Sequence, residues 1–222
     1  MPTLNHANDV YVLDLGGDEN RFSPTWISEV NALLDTVVGG SEAAALVTTG
    51  QGKFYSNGLD LEWFAGNGEQ APQYLLAAQQ LLARLLTLPV PTVAAINGHA
   101  FGAGAMLAMA HDFRVMRSDR GYLCFPEVDI QVPFSPGMAA LVQGKLTPAA
   151  AIVAMTTGRR FDAPTAREFG LVDQVAEEAA VVRTATELVR PLAGKDRNTL
   201  ASIKTTMFAG VLTLLRSGPL AG

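Results

Sequence analysis

The chain is poor in cysteine, in charge and in long apolar runs, and each shortage removes a class of explanation. Cys124 is the single cysteine in 222 residues, so no disulfide can form within the chain. A reducing compartment follows, expected to be the cytoplasm, with Cys124 an inert core residue. Charged side chains are 17% of the sequence, the formal net charge is -5, and the basic residues are scattered. Nucleic acid and anionic membranes demand clustered cations, so neither is an expected partner. The most apolar stretch, Val90 to Met109, is broken by Pro91, Asn97, Gly98, Gly102 and Gly104 before it could span a bilayer. Met1 to Asn8 lacks the basic-then-apolar order of a secretory leader, and Pro219-Leu220-Ala221-Gly222 is no Ser-Lys-Leu type address. His6, His99 and His111 show no metal-ligand spacing and no Ser-His-Asp set arises locally, so neither a metal nor a serine nucleophile is expected. His99 and His111 read instead as core or helix-end residues with satisfied hydrogen bonds.

What is present is apolar and alternating. Hydrophobic residues make up 49% of the chain, enough for one sizeable core, and a single domain over residues 1–222 is predicted. Val10 to Leu15, Ala44 to Thr48, Thr92 to Ile96 and Phe113 to Met116 read as strands, and Tyr122 to Cys124 as a shorter one. Between them, a helix capped by Ser23 with Pro24 in its first turn, and another from Tyr74 to Leu86 stopped by Pro89, predict a parallel sheet covered by helices. Gly66 to Ala71 reads as a mobile polar loop. From about Pro133 the pattern turns helical, with Ala149 to Met155, Ala163 to Phe169, Glu177 to Arg190 and Arg197 to Arg216 as candidates.

Three segments carry candidate chemistry. Lys53 to Leu61 places small, turn-forming residues after a strand, where exposed backbone N–H groups can hold a ligand oxygen; an ordinary strand-to-helix connection is the plainer reading. Ile96 to Met106 is a strand, a glycine-rich turn and an apolar helix starting near Ala103, whose first N–H groups are unpaired donors. Gly98, Gly102 and Gly104 do not have dinucleotide-binding spacing, and tight helix-to-sheet packing explains them equally well. Phe125 to Ile130 holds Glu127 among apolar residues, where burial would raise its pKa toward that of a general acid/base; a solvated loop carboxylate is the alternative, for Glu127 as for Asp129.

Taken in order, these segments resemble the motifs of the enoyl-CoA hydratase/isomerase, or crotonase, superfamily. YSNGLDL is similar to its aromatic-[SC]-[AN]-G-x-D-[IL] turn, INGHAFGAGAMLAMAHD to its glycine-rich segment, FPEVDI to its Pro-Glu motif, and GRRFDAPTAREFGLVDQV to a later motif ending Gly-Leu-Val. The resemblance covers nearly the whole chain. It implies an α/β fold of the crotonase type: a (ββα)n spiral of about residues 1–190, with helices around parallel sheets, and an α-helical region of about residues 191–222 used for trimerisation. It implies an oxyanion hole made by the backbone N–H groups of Leu59 and Ala103, with Glu127 as the catalytic base. Phe54, Ser56, Gly58, Phe101, Gly102, Met106, Phe125 and Pro126 become expected substrate contacts, and Lys204 a candidate contact for a CoA phosphate, with Lys53 less favoured. Asp60 and Asp112 fall at positions that usually serve structure.

Hydratases of the superfamily carry a second carboxylate at the position of Met106. With that group absent, and SNGLDL and EVDI similar to the enoyl-CoA delta isomerase branch, the resemblance implies conversion of 3-enoyl-CoA to trans-2-enoyl-CoA. No cofactor is expected, CoA being part of the substrate. A 2-enoyl-CoA hydratase, or a non-catalytic acyl-CoA-binding or assembly subunit, remains the alternative. The partners implied are a fatty enoyl-CoA thioester and further copies of the chain, as a homotrimer or hexamer. Leu200, Ile203, Met207, Val211 and Leu214 share one face of the C-terminal helix, which then packs against either a second subunit or the chain's own core.

Overall fold

Every strand expected from the sequence forms in the computed structural model, which describes residues 1–40 and 42–217. The Pro219 to Gly222 terminus, and with it the end of the expected trimerisation region, lies outside the described residues. Four further short strands were not anticipated, at Thr3–Ala7, Phe54–Ser56, His99–Phe101 and Gln174–Ala176; the first of them, β1 (Thr3–Ala7), pairs antiparallel with β2 (Val10–Asp14). Asn8 and Asp9, both at positive φ, make the two-residue turn between them. Helix α1 (Pro24–Gly39) starts as expected, with the Ser23 hydroxyl accepting the Trp26 N–H at 3.2 Å.

Thereafter the chain repeats one pattern. β3 (Ala45–Thr49), β4 (Phe54–Ser56), then α2 (Leu61–Gly66) and α3 (Ala71–Leu86) form one unit, and β5 (Thr92–Ile96), β6 (His99–Phe101) and α4 (Ala103–Met109) the next. A third unit runs through β7 (Phe113–Arg117), β8 (Leu123–Cys124), α5 (Glu127–Ile130), α6 (Pro136–Lys145), α7 (Pro148–Thr156) and α8 (Ala163–Glu168). In each unit the first strand joins a large sheet and the second a small one. β9 (Gln174–Ala176) closes the large sheet, whose order is β1-β2-β3-β5-β7-β9, parallel beyond the first hairpin; the small sheet, β4-β6-β8, is parallel throughout. This is the expected spiral. β3 and β5 are buried along their whole length because helices cover both faces of the large sheet. On one face Val181, Ala185 and Val189 of α9 (Val181–Val189) meet Val47, Val93 and Val115; on the other, α1, α3 and α4 bury the larger core.

Three helical expectations shift. Gly66 to Ala71 is not a loop but the end of α2, a 3₁₀ turn at Gly68–Gln70 and the start of α3. Asp60 nucleates this run by accepting the Trp63 N–H at 3.1 Å, a cap that overrides the polar composition behind it. The span beginning at Glu177 opens with a 3₁₀ turn before α9. The C-terminal helix breaks at Phe208 into α10 (Arg197–Met207) and α11 (Ala209–Arg216). The break lets α11 turn its Leu212 and Leu215 into the chain's own core, against α6 and α3, while Ile203 and Met207 of α10 stay exposed. Among the described residues no helix is long and apolar enough to cross a membrane.

Candidate active site

Two turns, one from each of the first two units, meet edge to edge. Gly58 stands at φ +81°, and a Cβ there would lie 2.7 Å from the Phe101 carbonyl oxygen and 2.9 Å from the Ala103 nitrogen. Only glycine serves both the conformation and the contact. Gly104 is equally confined, for its Cβ would strike the Ser56 carbonyl at 2.2 Å. The glycines therefore bring backbone to backbone, and the N–H groups of the two turns share one space.

Which of those N–H groups are free is decided by their neighbours. Asn57 N–H donates to the Glu19 carbonyl at 2.8 Å, Gly58 N–H to the Ser56 hydroxyl at 3.2 Å, and Asp60 N–H to the Tyr74 hydroxyl at 2.8 Å. Leu59 N–H alone in this turn donates to nothing among the described residues. In the second turn Gly102 N–H is taken by the Cys124 carbonyl at 3.0 Å, and Ala103, the first residue of α4, has no carbonyl in reach. Two unspent donors thus face the same cavity, the arrangement that stabilises an oxyanion. Ser56 holds the first turn in place, its hydroxyl donating to the Asn20 carbonyl at 2.7 Å.

Opposite the donors stands Glu127, first residue of α5. A Cβ on Gly102 would lie 3.5 Å from its Oε1. The residue is 8% exposed, and its Oε2 is buried with no hydrogen-bond partner among the described residues. Burial pushes its carboxyl up to about 7, against a small opposing pull from its own backbone N–H. A carboxyl so placed exchanges a proton readily near neutral pH.

Glu127 lies where two cavities join. The outer, about 430 Å³, is lined by Arg21, Asn57, Glu62, Arg160 and Phe101 among others; the inner, about 110 Å³, by Met106, Phe64, Leu75, Phe134, Ser135 and Met138. Leu59, Leu61, Ala103, Glu127 and Val132 belong to both. The two free donors, the buried carboxyl and the apolar recess lie at the motifs quoted above, and the family described as enoyl-CoA hydratase/isomerase matches residues 8–216. The chain belongs to the enoyl-CoA hydratase/isomerase, or crotonase, family. It is 39% identical to enoyl-CoA delta isomerase 3 of Arabidopsis thaliana over 94% of this chain and 92% of that one. With the peroxisomal enoyl-CoA delta isomerase 2 of the same plant it shares 36% identity, over 97% and 95%. The fold superposes on an enoyl-CoA isomerase of Mycobacterium tuberculosis with a TM-score of 0.90 and 28% identity, covering 97% of this chain and 94% of the other.

Within this crotonase site, Phe101, Gly102, Met106 and Pro126 line the cavities as expected. Four other expected contacts do not. Ser56 and Phe125 are wholly buried, Gly58 spends its role on the turn, and Phe54 lies on the small sheet with its ring 5.5 Å from that of His99. Phe54 and Ser56 stand two residues apart on β4 and so share one side of the small sheet, which packs away from the cavity. Lys204 requires a larger correction. It is 4% exposed, and its ammonium donates to the Leu88 and Val90 carbonyls at 3.1 and 2.9 Å and to Asp112 Oδ2 at 2.7 Å. All three protons are used internally, so it cannot meet a CoA phosphate. Asp112 and Asp60 take the structural parts expected of them.

Cys124 is buried, with its thiol pushed up to about 11 by burial, which keeps it in the protonated form. His111 is satisfied, lying 2.9 Å from Thr48 Oγ1 and 2.8 Å from the Leu107 carbonyl. His99 departs from expectation: its Nδ1 is buried without a partner in a nest of Phe54, Phe101 and Tyr122 rings. Asn57 and Arg160 lie inside quoted motifs but were not singled out there, and Arg21 with the inner wall of Phe64, Leu75, Phe134 and Met138 was not foreseen because these residues come from segments with no motif of their own. Among the described residues no group of three or more His, Cys, Asp or Glu could hold a metal.

Proposed function

We propose that this chain isomerises 3-enoyl-CoA to trans-2-enoyl-CoA, with Glu127 as its single proton carrier. The observation that carries the proposal is the pairing of an unpartnered, buried Glu127 carboxyl with two unspent N–H donors, beside a methionine rather than a second carboxylate. In the reaction the Glu127 carboxylate removes a C2 proton from the thioester. The electron pair moves into the C1 carbonyl, giving a dienolate whose oxygen is held by Leu59 and Ala103 N–H. The protonated Glu127 then returns its proton at C4, and the double bond comes to rest between C2 and C3. No electron or group leaves the system, so the chemistry needs no redox partner and no metal. Each N–H is worth about 2.7 to 4 kcal/mol to such an intermediate.

Met106 is 1% exposed and shares the inner cavity with Glu127. Hydration calls for a group to position and activate water, and a thioether does neither. It also keeps that side of the intermediate dry. The outer cavity, with the polar groups of Arg21, Asn57 and Arg160, suits the CoA portion. Assembly as a trimer belongs to the same proposal, supported by the exposed Ile203 and Met207 beside an apolar groove of about 420 Å³.

The test supplies wild type and Glu127→Gln with 3-enoyl-CoA and 2-enoyl-CoA and follows isomer and 3-hydroxyacyl products. Isomerisation by wild type and its loss in the variant are expected. Activity that survives in the variant removes Glu127 as the base; hydration without isomerisation selects a hydratase, and CoA binding with neither activity a binding subunit.

A further inference from the structure

The two compartments that meet at Glu127 differ in size and in chemistry. The outer one carries the arginine, asparagine and glutamate side chains, so it accommodates the polar CoA portion. The inner one holds only two polar residues, Glu127 at its mouth and Ser135 in its far wall, and otherwise presents Leu59, Leu61, Phe64, Leu75, Met106, Phe134 and Met138 with their neighbours. An acyl chain whose C2 sits at Glu127 runs into the inner compartment, where apolar surface is removed from water. That compartment has about a quarter of the outer volume, 110 against 430 Å³.

Its far wall is braced. Ser135 caps α6 by accepting the Met138 N–H at 3.2 Å, while its hydroxyl donates at 2.8 Å to the Gln79 side chain on α3. Gln79 is fully buried, which ties the two helices together between Phe134 and Met138. Behind the wall, α6 lies backbone to backbone with α11: a Cβ on Gly137 would stand 2.7 Å from the Leu215 Cα. The Phe134 ring is further backed by Phe125, 6.4 Å between centroids. A closely packed wall of this kind yields little to a longer ligand, and overfilling it strains the surrounding core.

Building on the isomerase reading, we propose that Phe134 and Met138 set an upper limit on acyl-chain length, and that the enzyme acts on short enoyl-CoA thioesters in preference to long ones. The measurement is kcat/KM for 3-hexenoyl-CoA and 3-dodecenoyl-CoA with wild type, Met138→Ala and Phe134→Leu. Each methylene that a pocket accepts or refuses changes discrimination by about tenfold or more. Wild type is expected to favour hexenoyl-CoA at least tenfold. Both variants should narrow that ratio, by gaining activity on dodecenoyl-CoA relative to hexenoyl-CoA. Equal rates for both lengths in wild type, or an unchanged ratio in both variants, overturn the proposal.

The affinities of hexanoyl-CoA and dodecanoyl-CoA, saturated and therefore inert, separate this proposal from the isomerase reading. A chain-length preference in binding that the variants relax sustains the wall even if no isomerisation occurs. Tighter binding of dodecanoyl-CoA to wild type overturns it whatever the activity. Melting curves of the variants, read alongside, assign a loss on both substrates to misfolding; in that event Phe134→Leu, the milder change, decides the ratio.

Discussion

Glu127 and Lys204 are both ionisable residues buried beyond 90%, both expected at the site, and the molecule treats them in opposite ways. Lys204 has three acceptors for its three protons, one of them the carboxylate of Asp112, which in turn accepts the Thr92 N–H at 2.8 Å. That network joins α10 to the ends of α3 and β5. Glu127 has an oxygen with no partner among the described residues, faces a cavity, and opens a four-residue helix. Burial alone does not mark a functional charge. What separates the two is whether the protein has already answered the group's hydrogen-bonding demand, since an unanswered buried group costs stability that only function repays.

The largest test of this contrast is on the chemistry. Glu127→Gln keeps shape and burial and removes only the ability to carry a proton. It should lower isomerase kcat about 1,000-fold, within the range that general acid/base groups supply, while leaving acyl-CoA affinity within a few fold. The matching change on the other side is Lys204→Met, which leaves Asp112 and two carbonyls without their donor. Here the loss should appear in folding, about 3 kcal/mol by urea titration, with CoA affinity unchanged. If Lys204→Met instead weakens CoA binding tenfold at unaltered stability, the lysine belongs to the site and the contrast collapses.

A third test follows from the raised Glu127 pKa. Between the ordinary value of 4.5 and the folded value of about 7, the native protein keeps a proton that the unfolded chain has released. Stability therefore falls as pH rises through this window, the reverse of a salt-bridged carboxylate. Glutamine carries no such penalty. Glu127→Gln should be more stable than wild type by roughly 3 kcal/mol at pH 8 and by under about 1 kcal/mol at pH 5, other titrating groups cancelling in the difference. A pH-independent difference would mean that the carboxyl is not held up by burial. In wild type the same titration should appear as a rise in kcat/KM with pH toward about 7, since the free enzyme must present the carboxylate.

The sequence disclosed the parts of this molecule that local rules govern. The Ser23 cap, the apolar runs at Ala45–Thr49 and Thr92–Ile96, and the glycines at 58, 102 and 104 announce themselves in the sequence, and the motifs around them pointed to Leu59, Ala103 and Glu127, which the fold brings to one cavity. What it hid depends on distant contacts. Lys204 read as a free cation because nothing nearby shows that Asp112 and two carbonyls, each more than ninety residues away in the chain, converge on it. The short strands β4, β6 and β8 exist only as one another's partners, and which of Phe54, Ser56 and Phe125 faces the cavity depends on that pairing. The inner wall combines Phe64 and Leu75 with Phe134 and Met138, a juxtaposition that no period in the sequence records.

The smallest effect belongs to the second donor and sharpens the contrast from the other end. At Glu127 the side chain is everything; at Ala103 the chemistry lies in the backbone, and the methyl group is incidental to it. Ala103→Gly keeps the N–H while trimming a side chain that is 4% exposed and touches both cavities. Because α4 starts at this residue, the entropic cost of glycine falls on a helix end and stays below about 1 kcal/mol. The expected change in isomerase kcat/KM is less than about threefold, the figure that separates loss of a methyl contact from loss of an oxyanion donor, which costs a hundredfold or more. A drop as large as a hundredfold would show that the methyl group itself orients the thioester, and the division between a backbone hole and a side-chain base would have to be redrawn.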